Sequence, residues 1–427
     1  MCIRDRTAGS NDTMFATTAD KLWSVTSGTS SPLLPLQSGY VSSATQTNAG
    51  GATLLFVNGR DGLFGYRGAT WSMMPVTGCD ATKWRDICIH QKRVFAHDGK
   101  RVWYLDQLAI AGPAYPVTME LHLRNGGEIV GIASISPSGG KGRADILAVA
   151  TSGGELVTFQ GDNPKLAETW SVGDVFDIPP PVARNCFVQH GSDQHLITRD
   201  GVLPVPEILT LEPSKKPKGA STDDIKNLWD LAYSLNGNSL SDYNGISSGA
   251  ARLDLIRVPG AGTFVKPPET DGWSLLSDLD ATCWLDDGQH LHFGKSDGTI
   301  CRYGGQDDNG VAINALMVGA FQDLGETHRF NRARISFDRH IGYTPLFRVL
   351  TNYMGIPSGV VGSQTNQSYY SWPPVDWPMM PAPQVTGRTQ AEDLWRGLSG
   401  RGHAFAPILA VKALAPLIYS GAQTKQV

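Results

Sequence analysis

A short element returns along this chain: a polar turn followed at once by an alternating apolar strand. The copies are Ala19-Asp20-Lys21-Leu22-Trp23, Arg60-Asp61-Gly62-Leu63-Phe64, His97-Asp98-Gly99-Lys100-Arg101-Val102, Ser152-Gly153-Gly154-Glu155-Leu156, Arg199-Asp200-Gly201-Val202-Leu203 and Ser296-Asp297-Gly298-Thr299-Ile300. Asp-Gly and Gly-Gly tolerate the positive φ of a tight hairpin, so each copy marks a turn between two strands. Apolar runs precede the turns at 54–57, 93–96, 146–150 and 195–198. Each unit therefore reads strand, hairpin, strand.

The markers Asp20, Asp61, Asp98, Gly153, Asp200 and Asp297 follow one another at intervals of 41, 37, 55, 47 and 97 residues. A blade of four strands takes roughly 40–50 residues. The chain is thus expected to be all-β: a β-propeller of four-stranded blades over residues 7–311, with the first blade truncated. Paired β-sandwiches also space their strands regularly. One kind of hairpin returning at blade-like intervals favours the ring, because a single blade cannot bury both faces alone. The opening Met1-Cys2-Ile3-Arg4-Asp5-Arg6 reads as a translated sequencing-library adapter, and residues 1–6 are set aside as an artefact.

The long last interval holds one inserted helix near 221–236. Ser221 or Thr222 can cap it, Asp223 and Asp224 suit its positive end, and Asn236-Gly237 ends it. Ile225, Leu228, Trp229, Ala232 and Leu235 form its apolar stripe, to be packed against a blade or a neighbouring subunit. After residue 311 the pattern changes. Longer runs stand at 314–321, 332–337 and 346–352, a Ser/Pro-rich stretch fills 355–383, and strands are expected at 404–411 and 414–419. Residues 312–427 are expected to be a last blade, an appended β-domain, or both: a C-terminal β extension.

Charged residues are only 18% of the chain while Gly (48) and Pro (26) are frequent, which suits short strands joined by turns. A net charge of −4 gives no global basic field for nucleic acid or an anionic membrane. No apolar run approaches the roughly 20 residues that span a bilayer, so no membrane insertion is expected. Cys2, Cys79, Cys88, Cys186, Cys283 and Cys301 are dispersed with no C-x-x-C pair, and are expected to be reduced, mostly buried strand residues.

Between residues 91 and 209 the chain resembles a known family. Lys92-Arg93-Val94-Phe95-Ala96 followed by Val102-Trp103-Tyr104-Leu105-Asp106 is similar to a signature of phage virion propellers. So is Asp145-Ile146-Leu147-Ala148-Val149-Ala150 running into Gly153-Gly154-Glu155-Leu156-Val157-Thr158-Phe159 and then Gly161-Asp162-Asn163-Pro164, with Trp170 nearby. Trp273-Ser274, Cys283-Trp284, Leu291-His292-Phe293-Gly294 with Asp297-Gly298, and Phe321-Gln322-Asp323-Leu324-Gly325 with Arg332 and Arg334 continue the likeness in order. The resemblance is to tail hub or nozzle proteins of short-tailed bacteriophages. It implies a structural subunit of the virion tail, assembled in the host cytoplasm as a homo-oligomeric ring, commonly a hexamer, around the DNA exit channel. Its implied partners are copies of itself, adjacent tail or portal-adaptor proteins, and genomic DNA contacted without sequence preference. The family carries no catalytic residues.

Nothing in the sequence argues for an enzyme. There is no H-E-x-x-H, G-x-x-x-x-G-K-[ST] or G-x-G-x-x-G, and Gly139-Gly140-Lys141-Gly142 reads as a connecting loop. His290-x-His292 sets two imidazoles on one strand face, but no third ligand stands out, and Asp286-Asp287 and Asp307-Asp308 read as turns. No catalytic, cofactor or metal residue is assigned. The densest basic stretch, Arg329, Arg332, Arg334 and Arg339, suits either phosphates in a DNA-filled channel or an adjacent subunit. Strand alternation sets Arg332 and Arg334 on one face, which favours the subunit interface. Tyr369, Tyr370, Trp372 and Trp377 suggest the alternative function, a tail-tip propeller that binds host-surface carbohydrate.

Overall fold

The computed structural model describes the chain except residues 1, 6–12, 26–30, 118, 120–121, 137–144, 167, 191–192, 213–214, 216, 218, 237–242, 268–271, 277–278, 280, 305–312, 320, 340–343, 353–389, 414–416 and 427, and counts of strands and sites refer to the described residues. It divides into two compact units, Met1–Tyr303 and Gly304–Val427.

The first unit is a β-propeller. Seven antiparallel sheets follow one another along the chain, each built from strands in chain order, with Gly112–Pro113 leaving the third to pair in parallel with Val76–Thr77. Their first strands are Cys2–Asp5, Ser42–Asn48, Asp86–His90, Ile129–Ile135, Phe187–His190, Asn244–Ser248 and Cys283–Asp286, in blades 1 to 7. From blade 2 to blade 7 each first strand lies against the first strand of the next blade, and that of blade 7 meets that of blade 1. Blades 1 and 2 are joined by Phe15 and Leu22 packing on Leu54 and Phe56. Among the described residues the ring closes by packing, with no strand shared between its ends.

Blade 1, expected to begin part-way, has four strands, because Cys2–Asp5, within the residues read as an adapter, pairs with Thr13–Thr17. Blades 5 and 7 have three. In blade 5 the open edge of Gly201–Pro204 is covered instead: Ser221 N donates to Val202 O (2.9 Å), and Thr222 Oγ1 accepts from Val202 N (3.1 Å). A buried strand edge must have its backbone groups answered, and here a loop does it.

Every marker turn lies between the second and third strand of its blade. In blade 3, Arg93–His97 turns through Asp98 and Gly99 into Val102–Tyr104. Asp98 Oδ1 accepts from Lys100 N and Arg101 N (2.8 Å each), and Gly99 takes φ +94°. An aspartate bonded to the backbone two residues on, followed by a residue at positive φ, makes the turn.

The second strands explain why the sequence reads as continuous apolar runs. Ile146–Thr151 of blade 4 is buried throughout. Ile146, Ala148 and Ala150 join the core shared with blades 5 and 6, while Leu147 and Val149 join the core shared with blade 3. In blade 2, Leu54 and Phe56 face blade 1 while Leu55 and Val57 face blade 3. Alternate residues thus enter different cores, and both faces must be apolar.

The inserted helix forms as a 3-10 turn, Asp223–Ile225, running into Lys226–Asn236. Its buried face is Ile225, Trp229 and Ala232; Leu228 and Leu235, expected in the stripe, are exposed with Leu231. Thr222 makes no side-chain cap, since its hydroxyl is engaged at Val202.

The second unit is one five-stranded antiparallel sheet. Gln390–Ala413 pairs with Gln322–Arg339, Ile313–Val318 and Thr344–Thr351, and Leu417–Gln426 pairs with the other edge of Gln322–Arg339. Leu350, Ala406 and Ile408 pack with Leu316 and Phe321 in its core.

Candidate functional site

Polar side chains gather where neighbouring blades meet near the ring centre. Asp86 opens the first strand of blade 3 and is buried. It accepts from Ser42 Oγ on the first strand of blade 2, from its neighbour Ile87 N (2.9 Å), and from Ile132 N on the first strand of blade 4 (3.0 Å). His90 Nδ1 meets Ser134 Oγ at 2.9 Å, again between blades 3 and 4. Between blades 6 and 7, Ser248 Oγ donates to Asp286 Oδ2 (2.7 Å) and Trp284 Nε1 donates to Asn244 Oδ1 (2.6 Å). These groups work as clasps between blades.

His97 lies across the strand pair from Asp86 and is buried. Its Nδ1 accepts from Gly99 N (3.1 Å), which fixes the neutral ring. Burial pushes its pKa down to about 3, and the Arg85 and Arg184 guanidiniums add to the shift. The folded pKa lies below the ordinary 6.5, so its share of stability is complete above pH 6.5 and is lost as the pH falls toward 3. For this fully enclosed ring the loss by pH 5 is about 2 kcal/mol, at about 1.4 kcal/mol per unit. Guanidinium unfolding at pH 7.5 and pH 5 is expected to register that loss in the wild type and lack it in His97→Gln; equal slopes in the two proteins would refute the assignment.

A cleft of about 90 Å³ opens between blades 5 and 6, lined by His190, His195, Ser221, Asp254, Lys266 and Trp273 among others. Asp254 Oδ1 orients His190 through Nδ1 at 2.9 Å, and the His195 ring stacks on His190 with centroids 4.6 Å apart. Burial, then the neighbouring imidazole, lowers the His195 pKa to about 4. Trp273 Nε1 donates to Ser221 O (2.7 Å), fixing one wall. The carboxylate of Asp254 on blade 6 thus holds an imidazole pair carried by blade 5. The arrangement suits a clasp between blades 5 and 6.

The basic stretch lies on one strand of the second unit, Gln322–Arg339. The register sets Arg329, which is exposed, opposite Arg401, and Arg332 opposite Gly397 on one side and Lys425 on the other. Arg334 stands opposite Trp395 and Gln423, and Arg339 opposite Gln390 and Leu417. Arg401 and Lys425 were missed because only strand pairing brings them beside residues some 70–90 positions earlier in the chain. The side chains of Arg332, Arg334 and Arg339 lie outside the described residues, as do Tyr369, Tyr370, Trp372 and Trp377, the loop 139–142 and the pair Asp307-Asp308.

His290 and His292 share the first hairpin of blade 7 with Asp287, which makes the turn as expected and brings a carboxylate beside the two imidazoles. The three donor atoms lie within 4.8 Å of one another. Cys79, Cys88, Cys186, Cys283 and Cys301 form no disulfide; burial raises the Cys79 pKa to about 11 and pushes Cys88 and Cys186 up as well.

No family model matches the chain, and no curated protein matches it significantly. Solved structures with similar folds include BBS1N in complex with ARL6DN, at 12% identity and TM-score 0.43, covering 70% of this chain and 89% of that one. BamB from Moraxella catarrhalis is 12% identical, with TM-score 0.37 and coverages of 68% and 78%. The WD40 β-propeller domain of Doa1 is 12% identical, with TM-score 0.37 and coverages of 67% and 87%. At such distances the propeller assignment rests on this chain's own sheet order and its ring of first strands.

Proposed function

We propose that this chain is a structural, non-catalytic subunit of a bacteriophage tail, of the hub or nozzle type. It assembles with copies of itself into a ring around the DNA exit channel, next to other tail or portal-adaptor proteins. The observation that carries the reading is where the family-like segments fall. Lys92 to Asp106 forms the second and third strands of blade 3, and Asp145 to Gly161 forms the same two strands of blade 4. Leu291 to Gly298 begins the matching hairpin of blade 7. A likeness carried by equivalent hairpins of several blades is one of architecture, as a structural subunit requires.

The basic strand gives further support. Arg329 opposite Arg401, both exposed, sets like charges across paired strands, which is unfavourable until an acidic surface or polyanion answers them. A neighbouring subunit or the DNA backbone supplies that charge.

Cryo-electron microscopy of particles carrying the gene is the direct test, with sedimentation of the purified chain beside it. The expected outcome is a ring of identical copies in the tail, and loss of ring assembly in Arg332→Glu/Arg334→Glu with the melting temperature unchanged. A chain that stays monomeric and is absent from particles would overturn the proposal.

A further inference from the structure

The hairpin that opens blade 7 carries three ligand-type side chains for a reason of register. Cys283–Asp286 and Leu291–Gly294 pair with Asp286 opposite Leu291 and Leu285 opposite His292. The turn is closed by Asp287 N donating to His290 O (3.0 Å), with Gly288 at φ +83°. Asp287 and His290 therefore face each other across the turn, and His292, two residues on, shares their face of the ladder. Pairing brings all three to one spot.

The local bonding divides the labour among the carboxylate oxygens. Asp287 Oδ1 accepts from Gln289 N (2.7 Å) and His290 N (2.6 Å), which locks the carboxylate in place. Asp287 Oδ2 faces His292 Nε2 at 3.1 Å. Asp286 is occupied elsewhere, holding Ser248 Oγ and Ala250 N with one oxygen and Gly288 N with the other. The side chains of Asp287 and His292 are 17% and 16% exposed, while His290 is open to solvent, so an ion can enter without unfolding the turn.

We propose that Asp287, His290 and His292 form a binding site for one divalent transition-metal ion of the zinc class. Two imidazoles and one carboxylate make a donor set for borderline metals, whereas calcium and magnesium require a shell of oxygens. Metal–ligand bonds of about 2.0–2.1 Å in a tetrahedron separate neighbouring donors by about 3.3 Å. The contact between Asp287 and His292 already has nearly that spacing, and His290 closes the third corner by a side-chain rotation at the exposed end of the turn. A water completes the coordination. Arg302 stands opposite His292 on the third strand of the blade and is the cationic neighbour that tempers affinity. Bound there, the ion pins the turn of the blade whose first strand meets blade 1, and so braces the point where the ring closes.

Titration calorimetry of the metal-free full chain with zinc chloride, and cobalt(II) absorption spectra in parallel, test the site. One zinc ion per chain is expected, with no comparable binding of magnesium or calcium and a tetrahedral cobalt band. His290→Ala and His292→Ala should each weaken zinc binding at least about tenfold, the loss typical even when a residue that merely supports a metal ligand is removed. His190→Ala, which alters the separate cleft between blades 5 and 6, should leave it unchanged. Melting curves of each variant without metal establish that the fold is retained. The proposal is overturned if zinc fails to bind the wild-type chain, or if binding persists at full affinity in the folded His290→Ala/His292→Ala double variant.

Discussion

Trp229→Ala is expected to lower the folding stability of the propeller by about 3–5 kcal/mol, the usual cost of emptying a large aromatic site in a packed core. Trp229 is fully buried and fixes the inserted helix to blade 5. Its ring packs in the core shared by blades 4, 5 and 6, with Tyr243 at 6.1 Å between centroids, and its Nε1 donates to Arg199 O (3.0 Å). Trp229→Phe keeps most of the apolar contact and forfeits the hydrogen bond, so a smaller loss of about 1–2 kcal/mol is expected. Leu228→Ala, Leu231→Ala and Leu235→Ala serve as controls on the solvent face and should each stay within about 0.5 kcal/mol of the wild type. Chemical denaturation of the four alanine variants decides it: a Trp229→Ala protein as stable as the leucine variants would mean that the helix does not pack as described.

Asp86→Ala is expected to cost about 2–4 kcal/mol, because it strips one acceptor from three donors at once. Ser42 Oγ and Ile132 N belong to the blades on either side, so the loss falls on two junctions of the ring together. Asp86→Asn should cost less, since its one carbonyl oxygen still serves part of this set. Burial holds the Asp86 carboxyl above its ordinary range, against the pull of its hydrogen bonds and of Arg184. A raised folded pKa means that the folded state binds the proton more readily than the unfolded chain. The group's contribution is therefore largest at low pH and declines as the pH climbs through the folded value. The gap between wild type and Asp86→Ala should widen on acidification from neutrality toward pH 4, opposite in sign to the His97 effect. A gap that narrows would assign the acid response of this region to other groups.

Much of the fold was legible in the sequence because one turn chemistry is reused. Asp20, Asp61, Asp98, Gly153, Asp200 and Asp297 all stand between second and third strands, and so they counted blades directly. Blade 6 escaped because its equivalent turn is Pro259-Gly260-Ala261, between Leu253–Val258 and Gly262–Lys266, with no aspartate to mark it. That omission, with the helix, is why the last interval was about twice the others. The helix was found by its 3.6-residue period, but the choice of which apolar flank is buried is made by blade 5, through Trp229 and Ala232, and Leu228 and Leu235 lost that competition.

The polar clasps were not legible. Asp86, Ser42 and Ile132 are far apart in sequence and meet only because first strands stand side by side in the ring. Asp287 could have been found. An Asp-Gly turn followed by His-x-His puts all three ligands on one hairpin face once the turn is taken as two residues long. The basic stretch was visible as composition, whereas Arg401 and Lys425 became its neighbours only through pairing.

Closure by packing has a mechanical consequence. Every blade is a contiguous stretch of chain whose strands pair with one another, and the ring behaves as a one-dimensional array bent round until its ends touch. Folding can begin at any blade and spread to the next, with only the final contact demanding that distant segments find each other. When such a wheel is pulled apart, the seam between its last and first spokes can part without unthreading a single sheet.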